Sequence, residues 1–145
     1  NNKSSVVVLD QINDPGNFGS IIRTCDWFGV KSIVCSPKSV DMYNPKVIQS
    51  SMGSFFRVNI IYEDLTSYLS KVKGKIFGSF LNGNEMKIES FPKRFHLVMG
   101  NESNGISDEV KSLITDKLTI KNIGNKADSL NVASATSILL YVMTT

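Results

Sequence analysis

Short β-branched runs alternate with amphipathic stretches along nearly the whole chain. Ser5-Val6-Val7-Val8-Leu9 reads as a buried strand. Asn13-Asp14-Pro15-Gly16 is a turn signal. From Asn17 onward apolar residues recur three and four apart, at Phe18, Ile21, Ile22, Cys25 and Phe28. That spacing predicts a helix with one apolar stripe, and Gly29 is its C-terminal stop. Ser32-Ile33-Val34-Cys35 reads as the next strand, so the opening unit is strand–turn–helix–strand, the repeat of a parallel sheet. The alternation goes on to predict a helix over 45–52 closed by Gly53, a strand over 56–60, a helix over 63–72 and a strand over 75–81. Asn82-Gly83-Asn84 reads as a turn, followed by a loop or irregular edge up to Phe91. A fifth strand is expected over 95–99. A helix opens at Ser107-Asp108-Glu109, with a capping residue and acids in its first turn. A last strand over 117–120 and a closing helix over 131–142 complete the pattern. No repeat, low-complexity tract or linker interrupts it, which predicts one α/β domain over residues 1–145.

Composition narrows the class. The chain has 145 residues, 41% apolar and 20% charged, the make-up of an ordinary globular domain with a core of useful size. No apolar run approaches the ~20 residues of a membrane span, and the N-terminus has no signal-peptide pattern. Two cysteines, Cys25 and Cys35, are too few for a disulfide framework or a metal cluster. A reduced, cytoplasmic protein with no metal and no membrane partner is expected. The net charge of +3 does not by itself argue for nucleic acid, which calls for a clustered basic patch. Lys38, Lys46, Lys93, Arg94, Lys121 and Lys126 are scattered, and ordinary surface cations account for them equally well. Asn1 is not an initiator methionine, so the chain reads as a fragment or processed product, a setting in which a preceding RNA-binding extension would fit.

Three segments carry candidate chemistry. In the first, Arg23 lies off the apolar stripe of its helix, on a face with Gly19 and either Asp26 or Trp27. Gly19 leaves room for close approach by a backbone or a ligand, and the plainer account of Arg23 is an ion pair with Asp26 three residues on. In the second, Gly100, Glu102 and Gly105 follow a strand, where parallel sheets gather ligands; a glycine-rich β–α turn is the plainer account. Neither a GxxxxGK[ST] nor a GxGxxG pattern occurs. In the third, Ile120 and a polar loop lead to Ser129-Leu130-Asn131 at a helix start, with Ser129 as the expected N-cap. Ala133, Ser134, Ala135 and Ser137 would let that helix press against a backbone loop or a twin subunit. Other chemistries find no support. His96 is the one histidine and falls within a strand, so a serine or cysteine triad lacks a base. No metal-ligand spacing appears. The acid pairs Glu63-Asp64 and Asp108-Glu109 stand at helix starts, where capping explains them.

Taken together, the segments resemble the SpoU/TrmH family over essentially the whole chain. The likeness rests on Asn17, Gly19 and Arg23 in the first segment, Gly100, Glu102 and Gly105 in the second, and Ser129-Leu130-Asn131 in the third. Ser103 and Asn104 depart from the family's more usual glycine and basic or polar residue, a change for loop flexibility rather than chemistry. The resemblance implies a parallel-sheet α/β knot of the SPOUT type flanked by helices, with a C-terminal trefoil knot from about Phe95. It implies an S-adenosyl-L-methionine-dependent RNA ribose 2′-O-methyltransferase, with rRNA favoured over tRNA as substrate. Cofactor contacts fall to Ser79, Phe80, Leu81, Gly100, Glu102, Ile120, Ser129 and Leu130. Arg23 is the implied catalytic group, orienting a phosphate and stabilising the 2′-oxyanion while assisting proton removal, with Asn17, Glu102, Ser129 and Asn131 around it. It also implies a homodimer through the first and last helices. A non-catalytic knotted RNA-binding module is the alternative, and an ordinary doubly wound nucleotide-binding domain is disfavoured by the missing phosphate-loop glycines.

Overall fold

Val6–Leu9 (β1) is buried along its whole length because it lies inside a sheet with helices on both faces. The computed structural model describes residues 4–85, 91–124 and 126–145. In it β1 is followed by Pro15–Trp27 (α1), Ser32–Cys35 (β2), Pro45–Ser51 (α2), Asn59–Tyr62 (β3) and Leu65–Ser70 (α3). Then come Ile76–Glu85 (β4), His96–Met99 (β5), Asp108–Lys111 (α4), Asp116–Thr119 (β6) and Val132–Thr144 (α5). The six strands form one sheet in the order β3-β2-β1-β5-β4-β6. Every pairing is parallel, with Val6 opposite both Ser32 and His96.

Alternate strand residues face opposite ways, and the core divides accordingly. Val7, Leu9, Ile33, Cys35, Phe77, Leu97 and Met99 pack with Phe18, Ile21 and Ile22 of α1 and Leu139, Leu140 and Met143 of α5. Val6, Val8, Val34, Ile76 and Val98 pack on the other face with Leu65 and Leu69 of α3 and Val110 of α4. Among the described residues no helix is long and apolar enough to cross a membrane.

The chain after β6 is what gives the C-terminal edge of the sheet its character. β6 is an edge strand beside β4, whereas α5 packs on α1 through the Thr24–Ser137 hydroxyl contact at 3.1 Å. The chain between β6 and α5 therefore leads from the sheet edge back to the start of α1, where Asn131 meets Asn17.

Several expected bounds move. The strand expected over 56–60 begins at Asn59, because Ser54–Phe56 forms a turn of 3-10 helix after Gly53 at φ +85°. The helix expected from Ser107 is a single turn. The turn expected at Asn82-Gly83-Asn84 is absent: β4 runs on to Glu85, and its pairing with β6 slips between Ser79 and Asn84. A Cβ on Gly83 would lie 2.8 Å from Thr119 Oγ1 and 3.2 Å from the Lys117 carbonyl oxygen, so this glycine marks close strand approach rather than a reversal. The loop or irregular edge expected before Phe91 falls largely on 86–90, outside the described residues.

Candidate active site

Three loops meet at the carboxyl ends of the strands. In the first, Asp14 caps α1, its Oδ1 accepting the Asn17 N–H at 2.8 Å, with Pro15 in the first turn where its missing N–H costs nothing. Asn17 thus has its backbone fixed and its side chain free to turn outward. Its Oδ1 accepts the Nδ2–H of Asn131 at 2.8 Å. Asn131 is itself the cap of α5, its Oδ1 accepting from Ala133 at 2.9 Å and Ser134 at 3.3 Å. One carboxamide thereby starts one helix and holds the start of another.

This corrects the expectation that Ser129 caps α5. A cap oxygen reaches the amides two and three residues on, and the first helical residue is Val132. Ser129 and Leu130 instead lie on the exposed approach to the helix.

The second loop, after β5, is tied to the first. Glu102 Oε1 accepts the Asp14 N–H at 3.1 Å and Oε2 accepts the Asn13 N–H at 3.4 Å. Asn101 donates from Nδ2 to the Gln11 carbonyl at 2.6 Å and accepts at Oδ1 from Ser103 at 2.9 Å and Asn104 at 3.0 Å. An open concavity of about 590 Å³ lies between the two loops, lined by Asn13, Asp14, Asn17, Asn101, Glu102 and Asn104 among others. Its wall is rich in carboxamides, which can donate and accept together. Among the described residues no cluster of His, Cys, Asp or Glu could hold a metal ion.

Two glycines admit neighbouring backbone: at Gly19 this is one of the two approaches expected, and at Gly100 it is the plainer account, a glycine-rich turn. A Cβ on Gly19 would strike Ser50 Oγ and lie 2.7 Å from the Val47 carbonyl oxygen, so the space above Gly19 belongs to α2. A Cβ on Gly100 would collide with the main chain at Gly105 and Ile106. Gly100 is therefore needed first for its own loop to fold back, and only its remaining backbone surface can meet a ligand.

Arg23 is exposed and has no hydrogen bond or ion pair with the described residues. The plainer pairing with Asp26 does not form. Asp26 is held by Arg57 Nε at 2.8 Å, Lys31 Nζ at 3.4 Å and Ser54 Oγ at 2.9 Å. The Arg57 hydrogen bond, helped by Ser54 and Lys31, keeps its carboxyl below the usual carboxylate range. With Asp26 saturated, the Arg23 guanidinium is left available. Arg23 makes no bond to Asn17, Glu102 or Asn131, which the hydrogen bonds do bring together.

The remaining expected residues border the same edge. Ser79, Phe80 and Leu81 lie in the β4 segment where the pairing slips. The Phe80 carbonyl accepts the Thr119 hydroxyl at 2.9 Å. Its ring packs against the α4-side core with Lys117 Nζ 5.0 Å from the centroid. Leu81 is 69% exposed, Leu130 51% and Ile123 83%, so the edge of β4 and the 120–131 loop carry uncovered apolar side chains. Ile120 packs partly against the α1-side core.

Sequence reasoning missed Asp10, Gln11 and Asn101. Asp10 is 2% exposed and accepts the Ser107 N–H at 2.7 Å; a charge closing an apolar strand was its available signal. Gln11 is left-handed at φ +57°, which nothing in the sequence announces.

A six-stranded parallel α/β domain with a hydrogen-bonded triple loop at its strand ends is the class that fold and site define. The chain belongs to the SpoU rRNA Methylase family, whose model matches residues 4–141. It is 34% identical over 140 residues to the 23S rRNA (guanosine(2553)-2′-O)-methyltransferase RlmP of Bacillus subtilis, covering 94% of this chain and 56% of that protein. A TrmH-family protein structure from Porphyromonas gingivalis matches with TM-score 0.85 and 38% identity, over 96% of this chain and 58% of its own. The AdoMet-bound rRNA methyltransferase of Sinorhizobium meliloti matches with TM-score 0.87 and 30% identity, over 98% of this chain and 56% of its own. The chain thus spans somewhat over half the length of these relatives.

Proposed function

We propose that the chain is the methyl-transfer domain of an S-adenosyl-L-methionine-dependent RNA ribose 2′-O-methyltransferase, acting on rRNA rather than tRNA. The observation that carries this is the joining of all three loops, Asn17 to Asn131 and Glu102 to Asp14, at the start of the helix that further along bears Arg23, whose natural surface partner is already occupied. The names of the Bacillus and Sinorhizobium relatives favour rRNA.

The strand ends suit such a cofactor. Exposed Leu81, Ile123 and Leu130 offer apolar cover for an adenine ring, and the β4 segment and the loops after β5 and β6 offer main-chain groups at Leu81, Gly100 and Leu130. Ser79, Phe80, Ile120 and Ser129 border that space, with the Phe80 ring turned into the core. When bound, S-adenosylmethionine supplies an electrophilic methyl on a sulfonium.

On the protein's side, Arg23 orients a phosphate beside the target ribose. A guanidinium keeps its charge, so it stabilises the 2′-oxyanion as the proton leaves to solvent. Fixed positive charge at a developing oxyanion is a large catalytic term. Asn17 and Asn131 hold the ribose side of the site, and Glu102 fixes the loop between ribose and cofactor.

Further parts of the reading have their own support. A trefoil-knotted path after Phe95 is supported by α5 packing on α1 although β6, which precedes it, lies at the far edge of the sheet. A homodimer through the first and last helices is supported by exposed Trp27, Ile138 and Tyr141, which lie on neighbouring faces joined by the Phe28–Tyr141 edge contact at 6.4 Å.

The test is transfer of a labelled methyl group from S-adenosylmethionine to RNA, followed by digestion to nucleosides. 2′-O-methylnucleosides are expected. Base-methylated nucleosides contradict the reading, and RNA binding without transfer indicates the non-catalytic module.

A further inference from the structure

We propose that Asp10 and Asn101 are positioning residues for methyl transfer, bracing the loop that carries Gly100 and Glu102 against the loop that leads into Asn17 and Arg23. The proposal rests on the functional reading above.

The brace has two ends. At one, Asp10 extends the β1–β5 pairing by donating its N–H to the Met99 carbonyl at 2.9 Å. Its carboxylate then turns beneath the β5–α4 loop and accepts the Ser107 N–H at 2.7 Å. Taking a carboxylate to 2% exposure is unfavourable unless its bonds bring something in return. Here the return is a fixed exit for the loop.

At the other end, Asn101 accepts from Ser103 and Asn104 and exchanges two main-chain bonds of 3.0 Å with Gly105. The loop is thereby closed on itself, as the bare α-carbon of Gly100 permits. The side-chain donor of Asn101, Nδ2, reaches out of the loop to the Gln11 carbonyl at 2.6 Å and also donates to Glu102 Oε2 at 3.4 Å.

That carbonyl faces Asn101 because Gln11 is left-handed, with its N–H given to Ser36 Oγ at 2.8 Å. Ser36 is buried and held by Ser39 Oγ at 3.0 Å. Such a conformation in a non-glycine residue persists where its surroundings over-determine it. The strained peptide is thus anchored on the β2 side by Ser36 and on the β5 side by Asn101. Glu102, next in sequence, then meets the Asp14 and Asn13 amides.

The braced loops carry different halves of the reaction. One offers the cofactor its main chain; the other runs directly into the helix bearing Arg23. A misplacement of ~1 Å between reacting groups costs about 100-fold in rate. The brace therefore governs turnover in the ternary complex more than affinity for either ligand.

The test uses the full-length protein with S-adenosylmethionine and its RNA. Asn101→Asp keeps both acceptor bonds within the loop but loses the donor to Gln11 and Glu102, setting a carboxylate oxygen against both of theirs. We expect its kcat to fall at least 30-fold, with cofactor Kd and RNA KM each within threefold of wild type. Asp10→Asn keeps an acceptor for Ser107 and is expected within threefold of wild-type kcat, whereas Asp10→Ala falls at least 30-fold. Thermal melts of each variant identify any failure to fold, and Asn101→Asp with Asp10→Asn keep the test decisive if Asp10→Ala does not fold. Wild-type kcat in Asn101→Asp overturns the proposal, as does a fall matched by equal loss of both affinities. So does an Asp10→Asn variant as impaired as Asp10→Ala. Absence of transfer by the wild-type protein removes the functional reading itself, and the proposal with it.

Discussion

Asn131 and Asn17 lie 114 residues apart in sequence and share a side-chain hydrogen bond of 2.8 Å at the starts of two different helices. The contact couples the beginning of α5, and the chain that leads into it from β6, to the helix that carries Arg23.

Replacing Asn131 separates its two duties. Asn131→Ser keeps a cap oxygen for the Ala133 and Ser134 amides but is too short to reach Asn17. Its stability is expected within about 0.5 kcal/mol of wild type, with turnover reduced at least tenfold. Asn131→Ala loses the cap as well, about 1 kcal/mol or about 4 °C in Tm. Calorimetric melts beside methyl-transfer rates check both; unaltered turnover in Asn131→Ser would contradict the coupling.

The loops that meet here were legible as three motifs, and their joining was not. The first-strand run, the 3.6-residue stripe from Phe18 to Cys25 and the Gly29 stop, which has φ +73°, are local signals. The placement of β5 between β1 and β4 has no local signal, because it depends on which chain segments bury each other. The strand expected over 56–60 moved because every residue from Phe55 to Tyr62 except Arg57 and Asn59 is apolar. Only the tertiary Asp26–Arg57 pair tells that Arg57 belongs to a turn. Within the site, Arg23's freedom rests on that same pair, and the left-handed Gln11 leaves no mark in the sequence at all.

Gly19 should tolerate no side chain. Gly19→Ala sets a methyl against Ser50 and the Val47 carbonyl, forcing α1 and α2 apart at about 1–3 kcal/mol. Urea denaturation measures it, and a midpoint equal to wild type would remove the close-packing account.

Acid should weaken the fold in two separate windows. Burial holds His96 below its ordinary value of 6.5, with Tyr68 Oη 3.2 Å from Nε2. The unfolded chain binds the proton more readily. Stability from neutral His96 is therefore full above pH 6.5 and is lost as pH falls through the lower folded value. Asp26, Asp64 and Asp116 are lowered from 3.8, so their contributions are lost only at more acidic pH, as it falls through their folded values. A His96→Phe variant should flatten the decline between pH 7 and pH 5 in urea midpoints; an unchanged slope would show that His96 does not carry it.

Cys25 and Cys35 should be silent in the native protein. Burial pushes both thiols well above the ordinary cysteine value, and neither side chain is exposed. A thiol reagent at pH 8 should react with neither until denaturant is added. Rapid native labelling would mean that α1 opens readily from the sheet.

The most direct measurement is methyl transfer by wild type and by Arg23→Ala, with S-adenosylmethionine affinity titrated on the same preparations. Arg23 has no hydrogen-bonded or ion-paired partner among the described residues to lose, so the account predicts unchanged cofactor affinity and at least a 100-fold loss of 2′-O-methylnucleoside. Equal transfer by Arg23→Ala, or no transfer by a wild-type protein that binds the cofactor, would contradict it.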